Sequence, residues 1–450
     1  MAQKPLTSKK VQELPPEVFA AALGRVVKEA IENDRNASIL GALEDKHGQQ
    51  TRTFKRKLTN GQYLAFALSL AEQLRTIPNL RGTRSWTKGP VWGTFTTPEG
   101  DFEYPLSVSA LLENGSITPF ECVLAIEHAS EAGFASTGSS VTIVTGPHDG
   151  DAARQWLLAK ISQTEKNHDL LRNRVVVVDV RANDSDRGGL AHSIVEAPTD
   201  TLDDVIVTDA VRAEIRRNIV DHVRSKDLLQ QAGLGSNRGV LLWGPPGTGK
   251  TSIIRGVLNE LSGEATVFLV SAKAMGENLG ELYAEAERLS PSIVVLEDLD
   301  NVAKSRGSSL HTFLVALDGV LRDPSKLVVT IATTNDPASI DEAAKRPGRI
   351  DRFVEVALPD EKLRLDILLH YFEKLARNGI QNVLAPNALV ELAANSAGAS
   401  GALLREVVRR SLLLANARSG NGAVVNDNDL AEAALEIGYR VYAPNPGQYL

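Results

Sequence analysis

The spacing of apolar and polar positions changes character along the chain. From Pro15 to about Asn33, Val18, Phe19, Ala22, Leu23, Val26, Val27, Ala30 and Ile31 recur at helical spacing. A second helical stripe follows Asn60, carried by Tyr63, Leu64, Phe66, Ala67, Leu70 and Leu74. Between residues 80 and 110, Gly, Pro and Thr punctuate short runs, and Val91–Thr96 and Phe102–Leu106 read as strands. The stretch 117–133 reads as helix again. These segments predict a mixed α/β domain over residues 11–135, behind a polar and basic stretch at 1–10. Residues 136–198 read as a second, small α/β unit: a strand Val141–Val144, a helix over 151–165, the β-branched strand Arg174–Val180 and a returning strand Ala191–Glu196. Thr199 to Asp204 reads as a linker.

From residue 205 strands alternate with helices: Val240–Trp243, Thr266–Val270, Ile293–Leu296, Leu327–Ala332 and Phe353–Ala357. That alternation predicts an α/β fold, a parallel sheet covered by helices on both faces. From 361 to 437 the pattern is wholly helical, which predicts a small helical domain after the sheet. The expected division is 199–360 for the large domain, 361–441 for the helical one and 442–450 for an extended tail rich in Pro and Gly.

Length and composition narrow the class without naming it. The 450 residues allow about three domains. With 49 basic and 56 acidic residues the formal charge is −7, so the chain as a whole is no nucleic-acid-binding polycation. The one cysteine, Cys122, excludes an intramolecular disulfide framework and a multi-cysteine zinc site, and is expected to be a buried small hydrophobe. The start MAQKPLTSKKVQELPPEV has no apolar core, and no apolar run reaches 18 residues. Neither a signal peptide nor a membrane span is predicted, and the cytoplasm is the expected compartment.

The chemistry concentrates in the second half. Gly244-Pro245-Pro246-Gly247-Thr248-Gly249-Lys250-Thr251 follows an apolar strand and opens a helix that continues with Ser252. This is the GxxxxGK[ST] pattern in the context that makes it a phosphate loop. Its glycines let backbone N–H groups wrap the phosphates of a nucleotide, and the helix adds its N-terminal partial positive charge. Lys250 is placed to reach the β- and γ-phosphates, and Thr251 to take a Mg²⁺ position. The strand Ile293–Leu296 ends in Glu297 and Asp298, followed by Asp300. A carboxylate there can hold magnesium while its neighbour polarises the attacking water.

With these two motifs, residues 200–440 resemble the AAA family of ring ATPases, which implies ATP and Mg²⁺ as cofactors. The family order of the two acids is Asp then Glu; here it is Glu297 then Asp298. The same inversion occurs in the mitochondrial AAA translocase of a folded Rieske protein, so it is compatible with activity. Asp298 is taken as the residue that orients water and Glu297 as the metal-side acid. The resemblance implies further roles in order. Thr333-Thr334-Asn335 matches sensor 1, with Asn335 positioning the lytic water. Arg346-Pro-Gly-Arg349-Ile-Asp-Arg352 matches the second region of homology, with Arg346 and Arg349 as fingers toward the neighbouring subunit of a homo-hexamer. Gly401 and Ala402, in Ala399-Ser400-Gly401-Ala402, match the lid element near the nucleotide. Val205 and Ile206 correspond to the adenine-side segment, with His370 and Tyr371 as weaker candidates there. Where many members carry an aromatic pore loop, this chain has Lys273-Ala274-Met275-Gly276-Glu277, so any grip on an unfolded chain comes from Met275 or from elsewhere.

The chain ends Gly447-Gln448-Tyr449-Leu450, which resembles the GQYL tail of actinobacterial proteasomal ATPases and proteasome activators. The resemblance implies docking to a proteasome core particle, with protein substrates met by residues 11–198 and the ring pore. Those ATPases carry an N-terminal coiled coil and oligonucleotide-binding-type barrels, and residues 11–135 show neither sustained heptads nor a clear five-strand barrel pattern. Two alternatives stand beside an unfoldase: a non-degradative chaperone or assembly ATPase, and a nucleic-acid-linked or signalling ATPase. The last rests on Arg52, Lys55, Arg56 and Lys57 around Phe54 and on Arg81, Arg84 and Lys88 around Trp86, patterns more often found on solvated faces. No membrane contact is expected.

Overall fold

The computed structural model describes residues 50–78, 80–83, 89–128, 139–167, 169–180, 190–233, 237–272, 274–276, 279–300, 325–339, 349–419 and 423–439. They fall into two units, each built on its own sheet.

The first sheet is antiparallel. Its strands are β1 (Arg52–Leu58), β2 (Val91–Thr97), β3 (Gly100–Leu112), β4 (Cys122–Glu127) and β5 (Ser139–Thr145), in spatial order β1-β5-β4-β3-β2. Helices α1 (Asn60–Thr76) and α2 (Gly150–Asn167) pack on each other and on this sheet. Thr59 opens α1 with a capping box: its hydroxyl accepts from the Gln62 N–H, and the Gln62 side chain accepts from the Thr59 N–H. The expected stripe Tyr63, Phe66, Leu70 and Leu74 is fully buried. At about 1.5–3 kcal/mol per large apolar side chain, that stripe is what holds α1 in place.

One expectation is corrected in this unit. The stretch read as helix over 117–133 contains β4, an inner strand between β3 and β5. Val123 and Leu124 point to opposite faces and are both buried, so the run is apolar without alternating. Such a run cannot be told from a buried helix by periodicity. Cys122 is buried as expected, and burial pushes its thiol up to about 11. The basic cluster around Phe54 lies on β1, an edge strand. Successive side chains alternate across the strand, so Lys55 and Lys57 share one face and Arg52 and Arg56 the other. A cluster contiguous in sequence is thus divided in space, and its charges guard the strand edge against further pairing.

The second sheet contains β6 (Val175–Val180), β7 (Leu190–Val195), β8 (Arg238–Trp243), β9 (Thr266–Val270), β10 (Ser292–Leu296), β11 (Val328–Thr334) and β12 (Arg352–Glu355), in the order β12-β8-β11-β10-β9-β6-β7. All pairings are parallel except that of β7 with β6. The stretch 136–198 therefore does not close as a unit of its own. Its first strand completes the antiparallel sheet as β5, and its last two extend the parallel one. The cause is legible in Val175–Val178: Val175, Val176 and Val178 are all buried, the continuous apolar run of a strand covered on both faces.

Around this sheet lie α3 (Asp209–Ile215), which runs through a π turn at Arg216–Val220 into Asp221–Arg224, then α4 (Lys250–Glu260) after β8 and α5 (Leu279–Arg288) after β9. The segment read as a linker is packed along α4. Leu202 is fully buried, and a Cβ on Gly256 would lie 2.7 Å from the Leu202 Cα. The Asn259 amide donates to the Pro198 carbonyl at 2.7 Å, and Arg255 pairs with Asp200. The helical domain follows, with α6 (Glu361–Arg377), α7 (Ala388–Asn395), α8 (Gly401–Ser419) and α9 (Asp427–Glu436) around a core of Leu368, Leu392, Leu404, Val407 and Leu430. It is not wholly helical, since Asn382–Val383 pairs in parallel with Val425–Asn426, two-residue runs too short to show a period. No helix among the described residues is long and apolar enough to cross a membrane.

Candidate functional site

The strand order brings three carboxyl ends together. β8 sits beside β11, and β11 beside β10, so the loops that leave them meet at one end of the sheet. That is where open α/β sheets bind ligands.

The loop after β8 is shaped by glycine. Gly244, Gly247 and Gly249 have φ of 148°, 77° and 106°, conformations that side-chain-bearing residues rarely adopt. Two of them are also sterically required. A Cβ on Gly244 would lie 2.2 Å from the Val356 carbonyl oxygen, and one on Gly247 would lie 2.8 Å from the Ser400 Oγ. Thr248 donates to the Pro245 carbonyl at 3.0 Å and closes the turn over Pro246. Gly249 then begins α4, with Lys250, Thr251 and Ser252 in its first turn.

Lys250 is buried, and its Nζ donates to the Gly244 and Pro245 carbonyls at 2.7 and 2.9 Å and to Asn335 Oδ1 at 2.9 Å. Burial lowers its pKa, against the opposing charges of Asp298 and Asp300. The Thr251 hydroxyl donates to Glu297 Oε2 at 3.2 Å. Asp298 is exposed and adopts a left-handed φ of 54°, and its N–H donates to Thr333 Oγ1 at 2.9 Å. Asp and Asn tolerate that conformation better than other non-glycine residues. The second acid of the inverted pair thus stands where a short carboxylate suits the backbone.

The flanking elements fall into place around this centre. The Ala402 N–H donates to the Gly247 carbonyl at 3.0 Å, which docks the start of α8 on the phosphate loop beside Gly401. Val205 packs in the core of the sheet domain and its neighbour Ile206 against the core of the helical domain. The 205–206 pair therefore bridges the two cores. His370 stands edge-on to Tyr371, and burial lowers its pKa. Hydrogen bonds from the Thr201 hydroxyl and backbone lower that of Asp204. Arg349 is half-buried beside the start of β8, where a Cβ on Gly239 would lie 1.8 Å from the Arg349 carbonyl oxygen. Arg346, Lys273, Glu277 and Gly447 to Leu450 lie outside the described residues. Met275 is 97% buried, with its 3% exposure leaving no side-chain surface to grip a passing chain in this conformation.

The family model for the ATPase family associated with various cellular activities (AAA) matches residues 240–358. This segment is an AAA ATPase domain. The match runs from β8 through the two acids and Asn335 to the end of β12. The chain is similar to the ATP-dependent zinc metalloprotease FtsH 3 of Sphaerobacter thermophilus, 37% identical over 264 residues, 54% of this chain and 50% of that protein. It is also similar to the proteasome-activating nucleotidase of Thermococcus onnurineus, 30% identical over 260 residues, 54% of this chain and 63% of that one. The chain thus spans about half the length of the first relative and less than two thirds of the second. A crystal structure of the FIGL-1 AAA domain in complex with ADP aligns with a TM-score of 0.44 at 24% identity, over 58% of this chain and 86% of that one.

Two residues that stand inside the quoted motifs, but to which the motifs assign no role, take one here. The Thr333 hydroxyl holds the Asp298 backbone. Ser400 crowds Gly247 from the helical domain. Spacing gives neither role; each comes from where the fold brings the side chain.

Glu297 gives a pH prediction. Burial raises its pKa, the Thr251 hydrogen bond opposes the rise, and the neighbouring Asp298 charge adds to it. With the folded pKa above the unfolded one, ionisation costs stability above the folded pKa, and that cost vanishes below the unfolded pKa. As pH falls through this window the nucleotide-free fold is expected to gain stability. If Glu297 is the metal-side acid, nucleotide binding with Mg²⁺ is expected to weaken over the same window, because a protonated carboxyl cannot hold a cation. Melting curves and binding of a fluorescent ATP analogue are expected to move in opposite directions. Glu297→Gln is expected to flatten both, and a wild-type pH profile retained in that variant refutes the assignment.

Proposed function

We propose that this chain is a magnesium-dependent ATPase that assembles into a homo-hexameric ring and uses ATP hydrolysis to remodel or unfold protein substrates. The observation that carries the reading is the meeting, at one end of the sheet, of two hydrogen-bonded pairs that each tie the phosphate-loop helix to a strand end: Lys250 with Asn335 and Thr251 with Glu297. Lys250 takes the β- and γ-phosphates, Thr251 and Glu297 hold Mg²⁺, and Asp298 with Asn335 orients the attacking water. Bound magnesium supplies charge neutralisation on the phosphates; the residues supply position. Arg346 and Arg349 act on the neighbouring subunit's nucleotide. Residues 11–198 select substrates.

The finer proposal is that Gly447–Leu450 dock the ring onto a proteasome core, which then receives the substrate. The GQYL resemblance supports it, as does the similarity to a protein named proteasome-activating nucleotidase. Several weak tails on one ring gain avidity together. The test is binding of the intact chain, and of one lacking Gly447–Leu450, to a purified actinobacterial core in ATP and magnesium. An Asp298→Asn variant serves to prolong the contact. Tail-dependent binding with faster peptide cleavage is the expected result, and an assembled ring that does not bind refutes docking.

The burial of Met275 favours a second reading, a chaperone or assembly ATPase that does not thread its substrate. Failure of core binding together with protein-stimulated hydrolysis is the outcome that selects it. The division of Arg52, Lys55, Arg56 and Lys57 across two faces of β1 weighs against a nucleic-acid-linked ATPase.

A further inference from the structure

We infer that Asp300 is a positioning residue: its carboxylate fixes the turn at the end of β11 so that the Asn335 amide oxygen meets Lys250. The inference deepens the ATPase reading and rests on it. Asp300 follows the two acids but lies apart from them in environment, 4% exposed where Asp298 is exposed. A buried carboxylate is costly unless hydrogen bonds hold it. Its Oδ1 accepts from the Thr334 hydroxyl at 3.3 Å and from the Asn335 N–H at 3.3 Å. Both donors belong to the turn that carries Asn335, and the acceptor's charge strengthens each bond.

The turn has a local alternative that makes an external anchor necessary. The Thr334 hydroxyl also reaches the Asp336 carbonyl at 3.1 Å and accepts from the Asp336 N–H at 3.1 Å. A hydroxyl has one proton to donate, so it cannot serve Asp300 and Asp336 fully at once. The Asn335 N–H has no such choice among these contacts, and its bond to Asp300 sets the direction in which the residue leaves the strand. From there Asn335 Oδ1 accepts from Lys250 at 2.9 Å. The reciprocal bond, from the Asp298 N–H to Thr333 Oγ1, runs the other way between the same two strand ends. The ends of β10 and β11 are lashed crosswise, and the groups proposed to face the water and the phosphate hang from the lashing. A direct metal role for Asp300 is disfavoured because the Thr251 hydroxyl is engaged by Glu297, while the Asp300 Oδ1 faces the β11 turn.

The test uses the full chain with Asp300→Ala, Asp300→Asn, Asn335→Ala and the Asp300→Ala/Asn335→Ala pair. Displacing a positioned group by about 1 Å can cost on the order of 10²-fold in rate, so Asp300→Ala is expected to lower kcat at least about tenfold. Binding of a fluorescent ATP analogue should stay within about threefold, because the change reaches the nucleotide only through Asn335. The amide oxygen of Asp300→Asn can accept the same two bonds and is expected to retain at least about a third of kcat. In the Asn335→Ala background, removing Asp300 should cost less than about twofold more.

A second readout does not depend on turnover. Loss of its Asn335 partner leaves the Lys250 amine more available, so its acylation by an amine reagent, read by peptide mass spectrometry, should accelerate in Asp300→Ala but not in Asp300→Asn. Unchanged Lys250 reactivity overturns the inference whether or not the chain hydrolyses ATP. So does an Asp300→Ala cost as large without Asn335 as with it, or parallel loss of nucleotide affinity and melting temperature that Asp300→Asn does not rescue. A wild-type chain that hydrolyses no ATP, or a Lys250→Ala chain that hydrolyses normally, overturns the ATPase reading instead, and the two failures are separable.

Discussion

Lys250→Ala is expected to lower ATP hydrolysis by roughly 10²–10³, the cost of removing one preorganised charge-stabilising donor from a phosphoryl-transfer site. Its second effect is on binding. A ligand present at 100 times its Kd stabilises the fold by about 2.7 kcal/mol, and that rise in melting temperature should be present in the wild type and absent in the variant. The nucleotide-free fold is expected to weaken as well. Lys250 Nζ holds the Gly244 and Pro245 carbonyls, and alanine leaves both without that donor. A smaller melting temperature without ligand, together with no response to Mg-ATP, is the combined signature. A variant that still responds fully to Mg-ATP contradicts the placement of the phosphates at Lys250.

Arg346→Ala should separate binding from hydrolysis. A trans-acting finger is worth roughly 10³–10⁵ in rate, so turnover should fall within that range while nucleotide affinity stays near wild type. The decisive measurement is mixing. A Lys250→Ala subunit has an intact finger and a dead pocket; an Arg346→Ala subunit has the reverse. Pockets of the second kind regain their finger when a subunit of the first kind stands beside them, so the mixture should hydrolyse more than either variant alone. If Arg346 acts only on its own subunit's nucleotide, mixing restores nothing, and normal hydrolysis by Arg346→Ala sinks the finger assignment outright.

The nucleotide site was legible in the sequence because its chemistry is local. Eight consecutive residues from Gly244 to Thr251 specify the phosphate loop, and the family match over residues 240–358 supports that reading. The helical stripe of Tyr63 to Leu74 was legible for the same reason: the period is carried within the segment. What could not be read was pairing. Cys122–Glu127 is an inner strand because β3 and β5 flank it, and those partners are set by the fold rather than by the run itself. The same holds for Val175–Val180, whose parallel partner Val267–Val270 lies some 90 residues on. Asp300 differs from Asp298 only by where its side chain is buried, which spacing does not encode. The split of the Arg52–Lys57 cluster is local by contrast, following from alternation alone once Arg52–Leu58 is known to be a strand.

The borrowed strands β6 and β7 decide where the ATPase core can be severed from what precedes it. A fragment starting at Thr199 keeps every nucleotide motif yet discards both strands. Thr266–Val270 then becomes an open edge, its N–H and C=O groups unpaired on one side and its Phe268, fully buried in the whole chain, losing the cover of His192. Such an edge is a template for pairing with another molecule. The compact unit that keeps both strands begins at Leu171, ahead of the apparent linker, so insolubility of a motif-defined fragment reports a missing edge and says nothing against the enzyme.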